Sequence, residues 1–230
     1  MMRLLVLVEG QTEEVFVKDV LAPHLVRFGV YAAATTVGKV HAQRAGQQRR
    51  GGGHFRHWRN DLLRLLGNRQ DAGVRVTTLF DLYGLPEDFP NLQRWNAVTD
   101  SNARCDGLQA EIAALADDRR VLPYIQRHEF EALVLASLDA LEDWLDADAD
   151  LAGLAALRHE IAALAPEDVN HGPETAPSKR LLAHIPGYSK TLHGPLAIAG
   201  RTLAQIRGVC PRFDAWLTTL EGLAGAQGMS

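Results

Sequence analysis

The chain has 230 residues, of which 47% are hydrophobic and 23% charged, and a net charge of −4. That length buries a full core, and the mildly acidic balance excludes a protein that coats nucleic acid or membrane through its overall field, while leaving room for a local basic patch. Cys105 and Cys210 form no CxxC pair, so neither a zinc knuckle nor a disulfide framework is expected, and free thiols in a reducing compartment are.

The opening "MMRLLVLVEG" is too short an apolar stretch for a signal sequence or a membrane span, and no later stretch reaches spanning length, which predicts a cytoplasmic protein. "RLLVLVE" reads instead as a strand buried on both faces, as in a parallel sheet. "TEEVFVKDVLAPHLVRFG" follows as a helix stopped by Gly29, with Thr12 as its expected N-cap and Pro23 as a kink or a break. "VYAAATTVGKV" is a second strand, and "RAGQQRRGGGHF" a Gly- and Arg-rich loop leading into the helix "HFRHWRNDLLRLLGN". "VRVTTLFDLYGLP" is a third strand that ends on Asp81 and breaks at Gly84 and Pro86. "SNARCDGLQAEIAALADD" is a helix with Ser101 as its expected N-cap, "RRVLPYIQ" a fourth strand, and "HEFEALVLASLDALEDWL" the helix behind it. Strands alternating with helices predict an α/β domain with a mainly parallel sheet over residues 1–138. Strand signals then stop, and residues 139–230 read as an α-helical extension.

Ligands of parallel α/β sheets bind outside the carboxyl ends of the strands. Glu9, Asp81 and the pair Glu129 and Glu131 all fall at or just after predicted strand ends. A few carboxylates with water and phosphate oxygens suit a hard cation such as Mg²⁺ or Mn²⁺, and paired ions clamp the attacking and leaving oxygens of a phosphodiester. Two carboxylates share an ion only if they lie within about 8 Å of each other. Glu13, four residues after Glu9, either joins that site or, with Glu14, complements the dipole of the helix start. Glu129 and Glu131 point about 200° apart if both are helical and share a face if the strand continues through them. Glu131 is the favoured of the two, since it falls in the first turn of a helix starting at His128.

The second informative feature is basic. From Lys39 to Arg69 the chain carries Lys39, Arg49, Arg50, Arg56 and Arg59 among eight Lys and Arg residues, with Asp61 as the only acid. That region suits a phosphate backbone, or equally a solvated loop and outer helix face. It lacks the GxxxxGK[ST] pattern of a P-loop. Lys179 in "PSKR" and Lys190 in "YSK" are candidates to stabilise charge developing on a phosphate.

"VLVEGQTEE", with an acid closing the first strand, resembles the first motif of the Toprim domain found in topoisomerases, primases and OLD-type nucleases. The ordered stretches "VEGQTEEVFVKDVLAPHL", "FDLYGLPEDFP", "LPYIQRHEFEALVLA", "NHGPETAPSKRL", "YSKTLHGPLAIA" and "CPRFDAWLTTLE" resemble the bacterial, Toprim-like domain-of-unknown-function family 4276 over nearly the whole chain. The resemblance implies a Rossmann-like Toprim α/β domain. It implies that Glu9 binds metal or acts as general acid/base, that Glu13 is the second acid of that motif, and that Asp81 is the first acid of an Asp-x-Asp pair. Tyr83 stands where the second aspartate belongs, and Glu129 or Glu131 is the candidate replacement. The expected function is Mg²⁺- or Mn²⁺-dependent action on nucleic-acid phosphodiesters, DNA or RNA, as a nuclease in phage or mobile-element defence, with a neighbouring ATPase as partner. The alternative is a non-catalytic sensor or regulatory subunit of an ATPase complex.

Overall fold

The computed structural model describes residues 1–38, 53–67, 71–170, 172, 175–200 and 203–225. They form two compact units that divide between Gln126 and Arg127, the first unit regaining the chain from Thr218 onward.

The first unit is built on a parallel sheet of order β2-β1-β3-β4. β1 (Met2–Val8) lies between β2 (Val30–Thr36) and β3 (Val74–Asp81), with Val8 opposite both Thr36 and Leu79. The central position explains the unbroken apolar run of β1: Leu4, Val6, Leu7 and Val8 are fully buried. The expected fourth strand is interrupted. β4 (Val121–Leu122) and β5 (Ile125–Gln126) each pair with β3 in parallel, separated by Pro123 and Tyr124, because Pro123 has no N–H for the ladder. The Thr78 hydroxyl bridges the gap, donating to the Tyr124 carbonyl at 2.7 Å and accepting the Tyr124 N–H at 2.9 Å.

The first helical stretch is broken in the way Pro23 dictates. α1 (Gln11–Phe16) passes into a π-helical turn (Val17–Leu21), and α2 (Ala22–Val26) resumes beyond it. The Ala22 N–H reaches back five residues to Val17, which widens the turn just ahead of the proline. α3 (Phe55–Leu66) lays Trp58, Leu62 and Leu66 into the core, where the Trp58 ring meets Phe80 at 4.3 Å between centroids. Burying each such side chain stabilises the fold by roughly 1.5–3 kcal/mol. A short α4 (Leu92–Asn96) precedes α5 (Ser101–Ala116). The N-cap of α5 is Asp100, not the expected Ser101: its carboxylate accepts the N–H groups of Asn102 and Ala103.

The second unit is helical throughout its regular structure. It contains α6 (Glu131–Leu135), α7 (Leu138–Glu142), α8 (Asp148–Ile161), α9 (Pro177–His184), α10 (Lys190–Gly200) and α11 (Leu203–Arg207). α12 (Pro211–Glu221) begins in it and ends in the first unit, where Glu221 Oε1 meets His24 Nε2 of α2 at 2.7 Å. Among the described residues no helix is long and apolar enough to cross a membrane. Cys105 and Cys210 are buried and form no disulfide.

Candidate functional site

The parallel register of β1 and β3 brings Glu9 and Asp81 to the same sheet edge. Glu9 Oε1 accepts the backbone N–H of Asp81 at 2.6 Å. Covalent reach from that nitrogen to the Asp81 carboxylate then bounds the separation of the two acids at roughly 7 Å, inside the limit for a shared ion. The turn after β3 closes on them: Gly84 N–H donates to Asp81 O at 3.1 Å. A Cβ on Gly84 would stand 2.1 Å from Glu9 Oε2, so only glycine lets the backbone pass the carboxylate. Both acids keep partial exposure.

Such a pair fits the Mg²⁺ pattern of one or two protein carboxylates completed by water and substrate phosphate. A cage of protein ligands is another matter. Among the described residues, no group of three His, Cys, Asp or Glu side chains is gathered as a metal site. Tyr83, in the place of a second aspartate, is exposed.

Glu13 is placed differently from Glu9. The N-cap of α1 is Gly10, not Thr12, and Glu13 Oε2 accepts the Gly10 N–H at 2.9 Å as the third helical residue. This is the return half of a capping box. Its neighbour Glu14 accepts a hydrogen bond from Thr36 Oγ1 of β2 at 2.8 Å, tying helix to strand.

The second unit gathers Glu129, Glu131, Ser178, Tyr188 and Lys190. Glu129 accepts from both Ser178 N–H, at 2.8 Å, and Ser178 Oγ, at 3.0 Å. It thereby caps α9, whose own N-cap residue, Ala176, has no acceptor side chain. Glu131 opens α6 and is buried, and Lys190 at the start of α10 holds its ammonium 3.2 Å from Glu131 Oε1. Burial raises the Glu131 carboxyl above the ordinary carboxylate value; Lys190 opposes the rise and Glu129 adds to it. Tyr188 is buried beside both carboxylates, and its phenol is raised first by burial and then by Glu131 and Glu129. Lys179, next to Ser178 on α9, is exposed.

Of the basic residues, Arg56 and Arg59 lie exposed on α3. Lys39, Arg49 and Arg50 lie outside the described residues. Asp61, the lone acid of the basic stretch, is buried and accepts the Gly38 N–H and an Arg64 N–H, both at 2.8 Å. Gly84, Ser178 and Tyr188 were not legible as site residues. Gly84 carries a trace, three positions after Asp81, and Tyr188 only its nearness to Lys190 in "YSK".

The sequence profile of the family described as Domain of unknown function (DUF4276) matches residues 8–221. No curated protein matches the chain. Among solved structures, the chain is similar to the C-terminal region of the Burkholderia pseudomallei OLD protein, with 21% identity over 96% of this chain and 97% of that one, at a TM-score of 0.45. It is also similar to the C-terminal region of the Xanthomonas campestris pv. campestris OLD protein, with 16% identity over 95% and 97% of the two chains, at a TM-score of 0.40.

Proposed function

We propose, from the premise that the chain belongs to the DUF4276 family, that it is a Mg²⁺- or Mn²⁺-dependent enzyme acting on nucleic-acid phosphodiesters, a nuclease of phage or mobile-element defence. The observation that carries the reading is the Glu9–Asp81 bond, which joins two acid-ended parallel strands at their carboxyl edge. The resemblance of "VLVEGQTEE" to the first Toprim motif supports it. A divalent cation held there supplies charge for a phosphate oxygen and a more acidic water. The chain's own part is positional. The Asp81 N–H and the close Gly84 backbone fix the position of the Glu9 carboxylate. Arg56 and Arg59 are the described cations suited to a phosphate backbone. In the second unit, Lys190 is the cation suited to charge building on a phosphate. Glu13 serves the site by bracing the turn that follows Glu9. The implied partners are DNA or RNA and an ATPase.

A second reading, a non-catalytic sensor or regulatory subunit of an ATPase complex, is favoured by Tyr83 and by the lack of a three-ligand group among the described residues. Incubating the protein with plasmid DNA and with RNA, in Mg²⁺ or Mn²⁺ and then EDTA, separates the two. The enzyme reading expects metal-dependent cleavage that Glu9→Gln abolishes. Absence of both metal binding and cleavage overturns it in favour of the second.

A further inference from the structure

Tyr83 is 38% exposed, and it stands in the turn that closes on the Glu9–Asp81 pair. Its neighbours on both sides are fixed. Leu82 is buried and donates its N–H to Gln126 O at 3.0 Å, while Gly84 bonds Asp81 O and passes against the Glu9 carboxylate. The turn thus presents one large side chain to solvent, from a backbone already held in place. Among the described residues of the first unit, the other exposed large hydrophobic side chains are Met1, Val26, Phe28 and Tyr31. Met1 and Tyr31 lie at the amino ends of β1 and β2, and Val26 and Phe28 at the end of α2 and in the turn to β2. Of these side chains, Tyr83 alone belongs to the carboxyl edge, where ligands of parallel sheets bind.

Two features limit what the ring is for. Hard divalent cations take carboxylate, carbonyl and water oxygens, so the phenol does not replace the missing aspartate. The surroundings are also acidic: Glu9 and Asp81 flank the turn, and Glu87 and Asp88 are exposed beyond it. Negative charge there repels a phosphate unless a cation stands between, which leaves the flat apolar face of the ring as the attractive surface. Positive charge begins further along the same loop. Asp88 accepts the Phe55 N–H at 2.7 Å, so the loop leads from Tyr83 to the first residue of α3, which carries Arg56 and Arg59. A nucleotide strand along this edge has phosphate partners on α3 and one ring on which a base can stack. In a duplex each base is already covered by its neighbours, whereas a base in a single strand can turn its face to an aromatic side chain.

We propose that Tyr83 stacks on an unpaired nucleobase beside the Glu9–Asp81 pair, which makes single-stranded nucleic acid the preferred substrate. This rests on the metal-dependent reading above, and it gives the residue in the place of the second aspartate a task within that reading. Every base has a π-face, so the selection is for strandedness and not for sequence.

The test is kcat/KM for Mn²⁺-dependent cleavage of a single-stranded oligonucleotide and of its blunt duplex, each as DNA and as RNA. Wild type, Tyr83→Phe and Tyr83→Ala are compared, with a thermal melt of each protein. Wild type should favour the single strand, and Tyr83→Phe, which keeps the ring, should retain that preference. Tyr83→Ala should melt like wild type yet lose at least about 5-fold on the single strand and nothing on the duplex. Equal cleavage of both forms by wild type overturns the proposal while the metal-dependent reading stands. So does a Tyr83→Ala protein that cuts single strands as well as wild type, or that loses equally on both forms. No metal-dependent cleavage of either form by wild type overturns both.

Discussion

No side chain fits between Gly84 and Glu9: a Cβ on the glycine would lie 2.1 Å from one carboxylate oxygen, while the other oxygen accepts the Asp81 N–H at 2.6 Å. The Glu9 carboxylate is thus held from two sides by the turn that ends β3. Gly84→Ala should displace Glu9 without touching any charged group. The expected result is at least a 10-fold loss of Mn²⁺ affinity with the fold retained, as a misplaced ligand costs about that much. Calorimetric titration with circular dichroism checks both parts, and unchanged affinity would show that Glu9 needs no such bracing.

Glu131 carries a pH signature. In the unfolded chain its carboxyl has the ordinary value of 4.5, and burial raises it in the folded protein. A folded state that holds its proton to higher pH has its full contribution below the unfolded value and loses it as pH rises through the folded value. Glu131→Gln cannot ionise, so its melting temperature relative to wild type should climb as pH rises above the unfolded value of 4.5. A difference that is flat or falling would mean that Lys190 outweighs burial.

Thr78 stands in for the ladder that Pro123 breaks. It is fully buried and bonds both backbone groups of Tyr124. Thr78→Val keeps the shape and removes both of those bonds, leaving the Tyr124 carbonyl the Phe80 N–H at 3.4 Å, which should cost about 1–3 kcal/mol in denaturant unfolding. A loss under about 0.5 kcal/mol would show that the β4–β5 gap needs no bridge.

The start of α5 separates two adjacent candidates. Asp100→Ala should destabilise by about 1 kcal/mol and Ser101→Ala by a few tenths, since Asp100 caps the helix and Ser101 only begins it. Thermal melts of the two variants suffice, and equal losses would contradict the assignment.

These particulars show what the chain discloses about itself. Apolar runs ending on acids gave away the parallel sheet and the meeting of Glu9 with Asp81, because burial on both faces and a charge at the strand end leave a direct mark on residue order. What stayed hidden depends on chain segments far apart. Glu13 reads as a ligand or a cap from spacing alone, and only the position of the Gly10 N–H decides its contact. Glu129 looks like half of a carboxylate pair, yet both its oxygens serve Ser178, 49 residues away. Pro23 was legible as a break, but not that a π-helical turn would absorb it.

The central claim is that Glu9 and Asp81 together hold a divalent cation. Mn²⁺ titration of wild type and Glu9→Gln, read by electron paramagnetic resonance, tests it most directly. The account predicts saturable binding by wild type, weakened at least about 10-fold in Glu9→Gln. Superimposable curves for the two proteins would contradict it.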